Sequence, residues 1–227
     1  VSHQGSRIGK WVVSGIAAIA MLGASGCATV DVYSDSLLAD SATWSYGEKA
    51  RAQINDSNAG ISTRNWYTEP MRSMAGTRLP HSFAGKALKT GANVIVISFG
   101  TNDASNAVDG GGGYSADAAK FHALNWIHRA RAAGAGCVVW VLGNSEAYAG
   151  RTWKAQYKAY LNNLNGWIRS VGPTVSTPSG TIKLRTVDFG GIVRNSASYG
   201  KDNGVHPSAA GAVWLGALIK QQIQGCT

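Results

Sequence analysis

The chain has 227 residues, 44% hydrophobic and 15% charged, enough for one well-buried core. Its formal net charge is +9, yet the lysines and arginines are scattered, and no basic run is interleaved with aromatics, which argues against a nucleic-acid partner. His122 and His128 stand at i, i+6, a poor spacing for shared ligation, and no Gly-x-x-x-x-Gly-Lys loop is present, so no metal, nucleotide or other cofactor is expected.

Arg7 and Lys10 precede an apolar run from Trp11 to Leu22, the pattern of a secretory signal and too short to span a bilayer comfortably. Residues 1–28 are therefore read as a signal peptide and 29–227 as a single domain. Gly26-Cys27-Ala28 allows cleavage before Thr29, and release is the favoured outcome. Ala24-Ser25-Gly26-Cys27 resembles a lipobox, which would instead leave Cys27 acylated. A secreted or cell-envelope location follows in either case. It places Cys137 and Cys226 in an oxidising compartment, where they are expected to pair. Without Arg7 and Lys10 the remainder carries +7, which reads first as a solvated basic surface with no partner and also suits association with an anionic envelope surface.

In chain order, Ala28 to Val32 reads as a short strand that breaks into Tyr33-Ser34-Asp35-Ser36-Leu37-Leu38, a tight turn and the start of a helix running to about Lys49. A serine at such a turn can attack a carbonyl while its own N–H helps to hold the oxyanion. Ala52 to Asn55 reads as a second short strand, leading into a polar turn with Gly60. Residues 64–80 read as irregular, and Ser82 to Lys89 as helical. Asn93 to Phe99 is a continuous apolar run of the kind buried on both faces of a parallel sheet, and it ends in Gly100-Thr101-Asn102-Asp103 and a glycine-rich loop. A helix follows over about Ala116 to Ala133, a buried strand over Cys137 to Leu142, and a helix over Arg151 to Ser170. A last strand, Ile182 to Phe189, precedes His206 and a closing helix from Pro207 to Gln224.

Strands alternating with long helices predict a three-layer α/β/α sandwich with a mostly parallel, flavodoxin-like sheet. Right-handed crossovers then put the strand ends, with Ser36 and Asn102, on one edge, where ligands bind. His206 lies in a loop that can reach the same edge. Each of these residues alone has a plain structural role, as helix cap, Asx turn or surface histidine. Their joint placement points to acyl chemistry.

Ser34-Asp35-Ser36-Leu37, Gly60, Gly100-Thr101-Asn102-Asp103 and Gly204-Val205-His206-Pro207 stand in the order and spacing of four family blocks. Over residues 29–227 the chain resembles the SGNH hydrolases (GDSL-type esterases and lipases), with Ser34 where the family usually has glycine. The resemblance implies Ser36 as nucleophile and His206 as general base. It also implies an oxyanion hole from the N–H groups of Ser36 and Gly60 and the side chain of Asn102. The family's acid stands three residues before the histidine, where this chain has Asn203, with Asp202 one residue earlier. Asp202 is the expected triad acid; Asn203, or a Ser–His dyad without an acid, remains open.

The reading that follows is an exported, monomeric serine esterase acting on an acylated small molecule, glycan or lipid through an acyl-Ser36 intermediate. An O-acyltransferase using the same site is the alternative within enzymes. A non-catalytic carbohydrate- or envelope-binding protein is the alternative outside them.

Overall fold

The computed structural model describes residues 26–39, 46–68, 74, 88–110 and 113–227. Residues 1–25, most of the expected signal peptide, and the helix expected over Ser82–Lys89 fall outside the described residues, apart from the last two positions of that helix.

The described residues build a sheet with strand order β2-β1-β3-β4-β6-β5. These strands are β1 (Ala28–Ser34), β2 (Ile61–Thr68), β3 (Val94–Ser98), β4 (Cys137–Leu142), β5 (Thr174–Thr177) and β6 (Gly180–Asp188). All neighbours are parallel except β5, which pairs antiparallel with β6 at the edge. Every residue of β3 and β4 is buried, because helices cover both faces. On one side α3 (Ala116–Ala132) and α4 (Lys154–Ser170) bury Trp126, Ile127, Leu161 and Leu164 against Ile95, Ile97 and Trp140. On the other, α1 (Tyr46–Ile54) and α6 (Ala209–Gln224) bury Ile54, Leu215 and Ile219 against Val32, Val96 and Val139. The expected three-layer sandwich is the fold.

The departures from expectation are local. Residues 52–54 are the end of α1 rather than a strand, and Ser36–Leu38 is a single 3-10 turn. The segment expected to be irregular begins inside β2. A short helix, α2 (Thr101–Val108), follows β3 where a loop was expected. In β2 the pairing with β1 slips between Val30 and Asp31, so Arg64 is an extra residue in the ladder, a bulge that re-aims a side chain. Arg64 grips the fully buried Asp31 through Nε and Nη2, at 3.2 and 2.9 Å, and Asn65 adds a bond of 2.8 Å. A carboxylate inside a sheet needs such partners, since an unpaired buried charge is expensive.

Cys137, which opens β4, is bonded to Cys226 just beyond α6, with their Cα atoms 5.8 Å apart. The bond closes a loop spanning 89 positions and ties the last helix to the middle of the sheet. Removing it in the Cys137→Ser, Cys226→Ser double variant should lower unfolding stability by about 2–4 kcal/mol. A urea midpoint indistinguishable from wild type would show that the bond constrains little.

Candidate active site

Ser34 ends β1 opposite Ser98, the end of β3, and the Asp35 N–H continues the contact by donating to the Ser98 carbonyl at 3.0 Å. The turn that follows is held by its own side chains. Asp35 accepts from the Leu37 N–H at 3.0 Å, and the Ser34 hydroxyl accepts from the Leu38 N–H at 3.2 Å while donating to the Asp35 carbonyl. The serine that replaces the family's glycine is thus fully buried and works as a clamp on the turn. Ser36 emerges as the first residue of the 3-10 turn.

His206 approaches from the far end of the chain. It belongs to a two-residue hairpin in which β7 (Gly200–Lys201) pairs with β8 (His206–Pro207), Lys201 opposite His206. His206 Nε2 lies 2.9 Å from Ser36 Oγ, and Nδ1 lies 2.8 Å from Asp202 Oδ2. A carboxylate only accepts, so Nδ1 carries the proton and Nε2 accepts from the Ser36 hydroxyl. Ser36, His206 and Asp202 are therefore brought into one relay.

Asp202 reaches the ring despite its extra residue because the hairpin turn winds left-handed. Asp202, Asn203 and Gly204 have φ of 53°, 57° and 80°. The Gly204 N–H donates to the Lys201 carbonyl at 3.0 Å and the Val205 N–H to the Asp202 carbonyl at 3.2 Å. Asp, Asn and Gly are the residues that visit this region at least cost. Asn203 is displaced from the ring by the same winding, and its side of the turn lines a neighbouring cavity. Asn144 secures the turn from below, its Nδ2 donating to the Gly204 carbonyl at 3.0 Å.

Asn102 is the second residue of α2, directly after β3, and so sits on the edge that carries Ser36. Gly60 does not. Its carbonyl accepts from the Ala28 N–H at 2.8 Å, and Ile61 pairs with Ala28 at the start of β1. Six residue steps of strand, about 20 Å, separate that end from Ser34. The expectation that Gly60 joins the oxyanion hole is therefore corrected: this glycine closes the turn before β2, whereas the site lies after it. Its φ of 67° serves that turn, as the cap of the 3-10 segment Ser57–Ala59. Beyond β2, Met74 is fully buried and donates its N–H to Asp103 Oδ1 at 2.9 Å.

Electrostatics set the protonation states. Burial holds the His206 pKa below the ordinary imidazole value; the hydrogen bond and charge of Asp202 pull it up, and nearby Lys201 pushes it down. The Tyr46 ring stacks on His206 at 5.9 Å, and Lys201 Nζ sits 4.8 Å from the centre of the same ring. Two carboxyls lie behind the nucleophile. Burial pushes Asp35 up to about 8, with the charge of Asp103 adding and the Leu37 and Asn102 N–H groups opposing. Burial also raises Asp103, to about 6, against hydrogen bonds from Tyr114, Met74 and the helix amides. At neutral pH one negative charge therefore sits on Asp103, and Asp35 is mostly neutral. Tyr46, Lys201 and Asn144 give no signal in sequence, because their partners are assembled only by the hairpin and the loops.

The buried Asp35 carries a pH signature. Its folded-state pKa is raised, so its contribution to stability is full below the ordinary carboxylate value and is lost as pH rises towards 8. Each pH unit crossed in that window costs about 1.4 kcal/mol. Asp35→Asn keeps an oxygen for the Leu37 N–H and cannot ionise. The Tm of wild type should therefore fall more steeply between pH 5 and pH 8 than that of Asp35→Asn, as read by calorimetry. Parallel curves would show that Asp35 ionises without penalty.

The GDSL-like Lipase/Acylhydrolase family model matches residues 29–214, most of the chain. The chain belongs to that family. As a member it is a carboxylic ester hydrolase. Among solved structures, the acetyl xylan esterase AlAXEase is similar with 13% identity and a TM-score of 0.60, over 86% of this chain and 98% of that one. A carbohydrate esterase family 3 protein from Talaromyces cellulolyticus is similar with 15% identity and a TM-score of 0.59, over 87% and 99%. A member of the lipolytic protein G-D-S-L family from Veillonella parvula aligns at 16% identity and a TM-score of 0.55, over 86% and 96%. At these identities the likeness is one of fold. No curated protein matches the chain in sequence.

Proposed function

We propose that this esterase is exported and removes short acyl groups from a glycan, through an acyl-Ser36 intermediate. The observation that carries the mechanism is the relay of two contacts, 2.9 Å from Ser36 to His206 and 2.8 Å from His206 to Asp202. His206 Nε2 takes the hydroxyl proton as Ser36 Oγ attacks the ester carbonyl. The carbonyl oxygen becomes an oxyanion, held by the Ser36 N–H and the Asn102 side-chain amide. Neutral donors suit that task because they do not titrate, and each is worth roughly 3–4 kcal/mol in the transition state. His206 then gives its proton to the leaving alcohol. Water repeats the sequence on the acyl-enzyme and restores Ser36.

The glycan substrate is supported by the two carbohydrate-active esterases among the similar structures. Export is supported by the Cys137–Cys226 bond, which suits an oxidising compartment, and by the signal-like residues 1–28. Among the described residues no helix is long and apolar enough to cross a membrane.

A fluorophosphonate should label Ser36, read by peptide mass spectrometry, and acetate release from an acetylated oligosaccharide should exceed release of longer acids from matched p-nitrophenyl esters. Labelling at another serine would overturn the assignment of the nucleophile. Faster cleavage of long-chain esters would replace the glycan substrate with a lipid.

A further inference from the structure

Along the same sheet edge, over β4 and β6, lies a cavity of about 390 Å³ that takes no part in the relay. Its walls come from three pieces of chain. Asn144 and Glu146 stand in the loop after β4, Val193 and Arg194 on α5 (Phe189–Asn195), and Lys201 and Asn203 on the hairpin that carries Asp202. The volume lies within the range of small-molecule sites, and the mixture of apolar wall and few polar groups is typical of them.

Arg194, Lys201 and Glu146 are the charged groups of the wall, and with the partners of Arg194 and Glu146 just outside it the charges do not balance. Asp188 Oδ2 is shared between Arg194 at 3.0 Å and Arg169 at 3.1 Å. Glu146 is shared between Lys158 at 2.6 Å and Lys154 at 4.0 Å. Each carboxylate thus faces two cations, and Lys201 adds a fifth positive group on the hairpin side. Asp202, beside it, is engaged with His206. An excess of positive charge around an otherwise apolar hollow selects an anionic ligand, and a wall of low dielectric strengthens that selection. The cavity is also mechanically joined to the relay, since Asn203 and Gly204 form its wall and follow Asp202 directly, with Asn144 bonded to the Gly204 carbonyl.

We propose that this cavity is a subsite for the alcohol half of the ester and takes a sugar unit bearing a carboxylate. The acid group faces Arg194 and Lys201, the hydroxyls meet Asn203 and Glu146, and an apolar ring face lies on Val193. The substrate is then an acylated acidic glycan, a refinement that rests on the esterase reading above.

The test uses two ligand pairs. Calorimetry with Ser36→Ala protein, which cannot consume the ligand, compares an acetylated oligosaccharide bearing a uronic acid with its neutral counterpart. The acidic sugar should bind at least about tenfold tighter in low salt, and the preference should shrink with added salt. Adding Arg194→Ala should abolish the preference, and Arg194→Glu should reverse it. In an otherwise wild-type chain Arg194→Ala should leave p-nitrophenyl acetate hydrolysis within about twofold, because that substrate has no sugar. Equal binding of the two sugars, or a preference untouched by Arg194→Glu, would overturn the subsite. Failure of the wild-type protein to hydrolyse p-nitrophenyl acetate would instead strike the esterase mechanism and leave the binding comparison to be read on its own.

Discussion

Ser36→Ala should lower kcat on p-nitrophenyl acetate by about 10⁵–10⁶ while leaving KM within a few-fold. The hydroxyl is the atom that forms the covalent bond, and nothing in the relay replaces it: the nearest polar neighbour on that side, His206, holds its ring through Asp202 and faces Ser36 with Nε2. The residual rate over water, about 10³–10⁴, would come from the oxyanion donors and from binding. Ser36 is 5% exposed, so the change removes one oxygen from a packed turn and one hydrogen bond of about 1 kcal/mol, too little to unfold the domain. Residues that act as a unit are not additive. His206→Ala should therefore cost about as much as Ser36→Ala, and the double variant little more than either. The measurement is kcat and KM for the three variants, with thermal melts to show that each is folded. Retention of a tenth of the wild-type rate in Ser36→Ala would reject the acyl-enzyme route.

How the chain announces this site follows from which residues have local causes. Ser36 and Asn102 are legible because each directly follows a strand, and the β3 run Val94–Ser98 is so apolar that only a doubly buried strand accommodates it. His206 is legible because it stands just before the closing helix, whose cap is Ser208 rather than Pro207. Cys137 and Cys226 could be paired on compartment and count alone. Gly60 enters the expected oxyanion hole through the resemblance alone. Ala52–Asn55 suits a strand leading into its turn, yet residues 52–54 end α1, so Gly60 comes before β2, on the edge opposite the site. Periodicity could not separate the two, because Ala52, Gln53 and Ile54 suit a helix end as well as a short strand. Helix α2 was invisible for a similar reason: Thr101-Asn102-Asp103-Ala104-Ser105-Asn106 is rich in turn formers, and tertiary contacts override their weak propensity. Strand β5, Thr174–Thr177, is a short polar edge whose pairing with β6 leaves little pattern. Tyr46 and Lys201 stay silent in sequence because the geometry that joins them to His206 belongs to the hairpin and not to either residue.

Asp202→Asn should lower kcat at least about a hundredfold and at the same time move the acid limb of the pH–rate profile to lower pH. The carboxylate sits 2.8 Å from His206 Nδ1. It does two things there: it fixes the tautomer that leaves Nε2 free to accept, and it stabilises the imidazolium formed as Ser36 loses its proton. An asparagine can present its amide oxygen for the first task and lacks the charge for the second. In the serine-protease example the same change costs about 10⁴. Asp202 is 52% exposed at its side chain, so water screens its charge, and a smaller loss of about 10²–10³ is expected here. The sign of the pH shift follows from the balance at His206. Burial and Lys201 already hold its pKa below the ordinary value, and Asp202 is the group that pulls it up. Taking that charge away lowers the pKa further, so the ring stays neutral to lower pH even as the plateau rate falls. Asn203→Ala should cost less than about fivefold: the residue lines the neighbouring cavity, and the main burden is an alanine at φ 57°, about 1–2 kcal/mol of backbone strain. Lys201→Gln provides the opposite control, since removing a cation that depresses His206 moves the limb upward. The measurement is kcat/KM against pH for wild type and the three variants. A plateau unchanged in folded Asp202→Asn, or a limb that moves up instead of down, would show that the ring is held and charged by something other than Asp202.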